Sequence, residues 1–215
     1  MKTLYVLGNS GYSTHLRTLF KVNKERPSPN TQIDPIHSVF LFTGGEDIHP
    51  STYKTENYGC GYTNPERDKE EFYWFDYCVQ NKIPMIGICR GMQLFTVATG
   101  GFLLQDVGNH CVPSHSVYFS SLDKHCQVNS IHHQMCVPKE GTYEVLAYTR
   151  KQGIFKNIPE YELEYFNSMF KEKEPESLWF PKVKALGVQW HPEMLPNSHP
   201  ATKIYLAFIN NYIGL

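Results

Sequence analysis

Cys89 lies between Gly87 and Gly91 in GICRG, after the apolar run IPMIGI and before the helix-like stretch RGMQLFTVA. A strand that turns at once into a helix at G-x-C-x-G pushes its central side chain out above the sheet, and the flanking glycines relieve the crowding of so tight a turn. The spacing therefore predicts a thiol that is presented, not buried. Unpaired N–H groups and the positive dipole end of the following helix stabilise an anion there, which favours the nucleophilic thiolate, and the neighbouring Arg90 is expected to add to that field. The competing reading is a small thiol closed into a packed strand end.

A hundred residues on, ALGVQWHPEM carries an apolar strand into His191, Pro192 and Glu193. A nucleophilic cysteine needs a base to take its proton and a third group to hold the imidazole in the right tautomer. His191 and Glu193 are of those types. Pro192 fixes its own φ and pushes His191 to an extended conformation, so two side chains on one short segment can be aimed at one place. Taken alone, His-Pro-Glu also fits a turn with a solvated carboxylate. In TGGEDIHP, Gly44 or, preferred, Gly45 has no side chain to block close approach, so its N–H and that of Arg90 can serve as oxyanion donors, against the plain alternative of a tight turn.

Those groups need elements to position them. KTLYVLG reads as a first strand and STHLRTLFKV as a short helix, followed by a polar, proline-rich loop, ERPSPNTQIDP. SVFLF is a fully apolar strand running into TGGEDIHP. NPERDKEEFYWFDYCVQNK reads as a helix, with Pro65 near its start, acidic residues in its first turns and Lys82 at its end, and with Phe72, Phe75 and Tyr73 as core contacts. IPMIGI follows as the central strand. After the elbow helix, HSVYFS, CQVNSIH, YEVLAYT and ELEYFN read as short β-like runs, LGVQW returns to the centre, and HPATKIYLAFINNYI closes as an amphipathic helix. FKEKEPESLWFPK, within 151–184, reads as a charged loop that either covers the site or decorates the surface. The pattern predicts an α/β fold: a mainly parallel central sheet flanked by helices, with a small antiparallel β appendage and the site at the carboxyl ends of the strands.

With these segments in hand, the chain resembles the class I glutamine amidotransferase-like cysteine hydrolases, and most closely their branch of gamma-glutamyl hydrolases and gamma-glutamyl-GABA hydrolases. The likeness is carried by LFTGGEDIHPSTY (41–53), GICRGMQLFTVATGG (87–101), VNSIHHQ (128–134), ALGVQWHPE (185–193) and NPERDKEEF, and runs from about residue 37 to the C-terminus. It implies a flavodoxin-like fold in one catalytic domain over 1–215, with Cys89, His191 and Glu193 as a triad. Arg90 in GICRG is typical of stand-alone gamma-glutamyl hydrolases, where dedicated amidotransferase subunits usually carry an apolar residue. The implied reaction is attack of the Cys89 thiolate on a γ-glutamyl amide, loss of the amine, and hydrolysis of the glutamyl thioester.

Gln93, one helical turn beyond Cys89, is placed to reach the glutamyl group, and similar proteins use this position so. By resemblance, Gly44 and Ser130, His132 and His133 of VNSIHHQ line the substrate pocket, by side chain or backbone; for His133 a structural pairing in the strand is an equal alternative. Glu46 and Asp47 either hold a cationic leaving group or cap their loop. The alternatives to a hydrolase of a small γ-glutamyl compound are a glutaminase subunit passing ammonia to a synthetase partner, and a binding module that has kept the triad without turnover.

Composition narrows the classes. A length of 215 residues suits one substantial core, and a net charge of −1 gives no electrostatic footprint for nucleic acid or an anionic membrane. No stretch is long and apolar enough to span a bilayer, and MKTLYVLGNSGY reads as strand and loop, which leads to the expectation of a cytoplasmic protein. The six cysteines form no C-x-x-C pair, so the five besides Cys89 are expected to be reduced structural thiols. Cys111, His125, Cys126, His132 and His133 fall in one region, but their spacing fits no usual zinc pattern, so neither metal nor cofactor is expected. A homodimer is compatible with the sequence.

Overall fold

The computed structural model describes residues 1–23, 26–150 and 152–214; Glu25 and Lys151, at the starts of the predicted loop and of the 151–184 stretch, lie outside the described residues. Strand β1 (Thr3–Leu7) leads through a 3-10 helix (Ser10–Thr18) to the two-residue β2 (Lys21–Val22), then to β3 (Ser38–Phe42), α1 (Pro65–Gln80), β4 (Met85–Ile88) and α2 (Arg90–Ala98). Next come β5 (Phe102–Leu104), β6 (Val107–Gly108), β7 (Cys111–Phe119), β8 (Lys124–Ile131), β9 (Met135–Val137), β10 (Glu144–Arg150) and β11 (Ile154–Phe155). The chain closes with α3 (Glu160–Phe170), β12 (Lys173–Phe180), β13 (Ala185–Val188) and α4 (Pro200–Phe208), which a π turn extends.

Nine strands form one sheet in the order β2-β1-β3-β4-β13-β12-β10-β7-β8. From β2 to β13 the pairing is parallel, and from β13 outward it is antiparallel. The antiparallel part thus continues the main sheet, and β5 with β9 and β6 with β11 add two small antiparallel pairs. The parallel strands are apolar throughout because both faces are covered. Leu4, Val6, Val39, Leu41, Ile86 and Ile88 face one core, which Leu16 of the 3-10 helix and Tyr205 and Phe208 of α4 close. Tyr5, Leu7, Phe40, Phe42 and Met85 face the other, under Trp74 and Phe75 of α1 and Phe95 of α2.

Three predicted elements differ. STHLRTLFKV forms a 3-10 helix ending at Thr18 and then strand β2. ELEYFN is helix, because Glu162, Phe166 and Phe170 make a buried i, i+4 stripe and Glu162 accepts a hydrogen bond from Tyr58. FKEKEPESLWFPK contains β12, a buried strand between β10 and β13 and neither a lid nor a surface loop; its Glu174 and Glu176 are fully buried among histidines. In α1, Phe75 is core and Phe72 half-buried as expected, but Tyr73 is exposed and Trp74 takes its place. None of the six cysteines is in a disulfide, and among the described residues no helix is long and apolar enough to cross a membrane.

Candidate active site

Strands β4 and β13 run parallel in register, Gly87 beside Gly187 and Ile88 beside Val188, so the residues that follow emerge together. Cys89 sits at φ 52°, ψ −103°, a conformation costly for any residue but glycine, held by its N–H to the carbonyl of Val188 at 2.7 Å. The predicted elbow is therefore present. A Cβ on Gly87 would stand 2.6 Å from the Gly91 backbone, and one on Gly91 2.3 Å from the Phe42 carbonyl, which is why α2 can start this close to the sheet. Arg90 opens α2, so its N–H has no acceptor within the helix. Contrary to the expectation of a presented thiol, Cys89 is only 6% exposed. Gln189, projecting from the end of β13, brings Nε2 to 3.4 Å from Sγ, and His191 lies against the same sulfur.

His191 interacts with both of its expected neighbours. Its Nδ1 lies 2.7 Å from Glu193 Oε1, and Cys89 acts on the same ring. Burial opposes a charged imidazole, yet the hydrogen bonds and negative charges of Cys89 and Glu193 outweigh it and push the His191 pKa up to about 10. The imidazole is thereby held as the protonated form. The turn is fixed from outside as well. Asn129 grips His191 at both backbone atoms, Nδ2 to its carbonyl and Oδ1 from its N–H at 2.9 Å each, and His15 Nε2 bonds the Pro192 carbonyl at 2.8 Å.

The loop Thr43-Gly44-Gly45 leaves the end of β3 beside this pair. A Cβ on Gly44 would come within 2.9 Å of His191 Cε1 and 2.8 Å of Tyr12 Oη. Gly44→Ala is accordingly expected to displace the imidazole and lower kcat by about 100-fold, with little loss of thermal stability; steady-state kinetics beside a melting curve checks it. Arg67 of α1 clamps the loop through Nη2 to the carbonyls of Thr43 (3.2 Å) and Gly44 (3.0 Å), pairs with Glu46, and meets Glu71 through Nε at 2.7 Å.

Arg90 does not serve the expected electrostatic role. Its guanidinium is fully buried and bonds Asp68 and Glu71 of α1, so its charge is neutralised away from the thiol. Glu71 thereby links the elbow to the glycine loop through two arginines. The acidic residues of NPERDKEEF, expected to be partners of a helix dipole, include the buried core of an ion network. Asp47 accepts from His133 Nε2 at 2.8 Å and from the Gly61 N–H at 2.7 Å. Both Glu46 and Asp47 thus cap and brace their loop, the second of the two readings.

The other expected contact residues divide. Gln93 is buried in α2, its N–H on the Cys89 carbonyl at 3.2 Å. His133 is half-buried, and its hydrogen bond with Asp47 raises its pKa. Ser130 and His132 are turned inward: the Ser130 hydroxyl bonds the His110 carbonyl, and His132 Nδ1 bonds the Gln134 carbonyl at 3.0 Å. Their side chains are spent on structure. Of the set Cys111, His125, Cys126, His132 and His133, only His132 belongs to a metal-sized cluster among the described residues.

Four residues escape sequence reasoning. Gln189 is legible in principle, since strand alternation puts residues 189 and 191 on one side and Trp190 on the other. Asn129, Arg67 and Tyr12 carry no local signal. Burial, with the charges of Glu193 and Cys89, pushes the Tyr12 hydroxyl up to about 12, so it stays a hydrogen-bond donor next to the pair.

A family model described as Peptidase C26 matches residues 16–166. A glutamine amidotransferase-like protein, YvdE, of Lactococcus lactis subsp. lactis is 28% identical over 93% of this chain and 84% of its own length. A carbamoyl phosphate synthase small chain of Streptococcus agalactiae is 26% identical over 61% of this chain, the match spanning 32% of that protein. Among solved structures, a glutamine amidotransferase from Thermotoga maritima superposes with a TM-score of 0.58 at 14% identity, over 98% of this chain and 83% of the other, a likeness of fold.

Proposed function

The chain belongs to the Peptidase C26 family, and on that premise we propose that it is a cysteine hydrolase cleaving the amide bond of a small γ-glutamyl compound, releasing glutamate and an amine. The observation that carries the reading is His191 held by Glu193 at Nδ1 while Cys89 acts on the same ring and raises its pKa. Cys89 attacks the δ-carbonyl, forming the C–S bond, while the N–H groups of Arg90 and Gly45 take the oxyanion. The C–N bond then breaks as His191 gives its proton to the departing amine. The same imidazole draws a proton from water, which attacks the thioester and frees glutamate and the thiolate. Gln189 supports the thiolate as an amide donor, Tyr12 limits access of water, and Gln93 and His133 bound the glutamyl pocket. A cytosolic setting, where thiols stay reduced, belongs to the same proposal.

Incubating the purified chain alone with a panel of γ-glutamyl amides, glutamine included, and assaying free glutamate tests the reading; release without any added protein is expected. The likeness to a carbamoyl phosphate synthase small chain favours a second reading, a glutaminase subunit that feeds ammonia to a synthetase. It would be adopted if no amide turned over until a synthetase was added.

The pH profile follows from His191. Its proton is held in the folded state up to about 10, so kcat/KM is expected to stay level through neutral pH and to fall on an alkaline limb near that value. Glu193→Gln removes a stabilising charge and should move the limb to lower pH. In linkage terms the raised pKa favours the folded state fully below about 6.5, the unfolded value, and this contribution is lost as pH rises through the folded one. An alkaline limb at the same pH in both proteins would show that the Glu193 carboxylate does not hold the imidazolium.

A further inference from the structure

Behind β13, three imidazoles converge on one carboxylate. His110 precedes and His115 lies in β7, His132 follows β8, and Glu176 comes from β12; all four are buried, the most exposed at 6%. His115 Nε2 stands 3.1 Å from Glu176 Oε1, and His110 Nδ1 and His132 Nε2 each 3.9 Å from the same oxygen. None of these nitrogens, and neither Glu176 oxygen, has an aligned hydrogen-bond partner among the described residues.

The outer contacts settle what the rings present: Gln152 Nε2 donates to His115 Nδ1 at 3.1 Å, so a neutral His115 turns its Nε2 proton to Glu176, and the other two rings differ. His110 Nε2 lies 3.0 Å from the Glu174 carboxylate, and His132 Nδ1 lies 3.0 Å from the Gln134 carbonyl. Both partners only accept, so both ring nitrogens carry their protons there, and a neutral ring then turns a bare lone pair to Glu176. Acceptors facing acceptors in a dry interior repel unless a cation lies among them. A carboxylate or a carbonyl behind a histidine is also the usual outer partner of a metal-bound imidazole.

We propose that His110 Nδ1, His132 Nε2 and the two oxygens of Glu176 form a structural binding site for one divalent zinc-class metal ion, with His115 as the outer partner of the carboxylate. The ligand atoms of His110, His132 and Glu176 all lie within 4.8 Å of one another, and bonds of about 2.0–2.1 Å, which put ligand atoms about 3.3 Å apart in a tetrahedron, need them only to draw in around the ion. Imidazole and carboxylate donors without thiolate suit zinc or a neighbouring first-row ion, and full burial leaves no position open to substrate. The ion would tie β7 and the end of β8 to β12. From β12 the Glu176 carbonyl holds the Gln189 N–H at 2.8 Å, so the site braces the residue that touches the Cys89 sulfur.

The spacing escapes sequence reasoning because the three ligands span about 66 positions and are brought together only by the sheet. The test is metal analysis of the full chain, stripped with a chelator, dialysed against zinc and then against metal-free buffer. About one zinc per chain is expected, with Tm raised by about 5–10 °C and a visible tetrahedral band on cobalt substitution. Glu176→Gln and His110→Gln should lose the zinc while circular dichroism confirms the fold. Zinc below about 0.1 per chain with no rise in Tm would overturn the site and leave a shared proton as the cation. Undiminished zinc in both folded variants would overturn it equally.

Discussion

Cys89→Ala is expected to remove glutamate release, lowering kcat by at least about 10,000-fold, while Tm moves by no more than about 3 °C. The size of the loss follows from the chemistry. Without the sulfur there is no thioester, and neither the amide donor of Gln189 nor the paired imidazole can replace a missing nucleophile. The small change in stability follows from the geometry. Cys89 holds a strained backbone at φ 52° for the benefit of its side chain, and alanine keeps that strain while removing one buried sulfur. Cys89→Ser makes a sharper control, because an alcohol at the same atom gives up its proton far less readily and is expected to be nearly as inactive. Kinetics and melting curves on the same preparations decide the matter: a Cys89→Ala protein that unfolds would shift the residue to a structural role.

Arg90→Met is expected to act in the opposite way, chiefly on stability. The guanidinium is buried between Asp68 and Glu71, whose side chains are 3% and 0% exposed. Removing it strands two carboxylates in the interior, at a cost of about 3–5 kcal/mol, which for a chain of this size lowers Tm by about 10 °C or more. Arg90→Lys should recover only part, since an ammonium lacks the planar fork that reaches two carboxylates at once. The proposed oxyanion donor at this position is the backbone N–H, which methionine keeps, so protein that remains folded should retain substantial turnover. A thermal scan with activity measured well below the transition separates these contributions. Unchanged Tm would show that the ion network linking α1 to the elbow does not hold the fold.

What is legible in the chain follows from the range of the interactions. GICRG announces the elbow because the cramped turn demands glycine within two residues of the thiol on either side, and HPE announces the His191–Glu193 pair because its two members lie two residues apart. Both are local. The thiol's burial has no such signal, because its cover comes from Gln189 and His191, a hundred residues distant in sequence. Arg67 and Arg90 illustrate the same limit. Charges in NPERDKEEF satisfy every surface-helix rule, and only the packing of α1 on α2 reveals that two of the acids lie inside. ELEYFN alternates like a strand, but its buried stripe begins at Glu162, a residue that no apolar periodicity counts. β12 reads as a loop because Glu174 and Glu176 look solvated, and the histidines that accompany them come from other parts of the sheet.

The most direct measurement is site mapping of the covalent adduct formed by a glutamine-analogue electrophile, by intact mass and then peptide mass spectrometry, on the wild-type chain. One adduct per chain is expected, on Cys89, although this thiol is 6% exposed and Cys111 is freely accessible. Replacing His191 should slow its formation sharply. Labelling of Cys111 with Cys89 left unmodified, in protein that still releases glutamate, would contradict a nucleophile at the elbow.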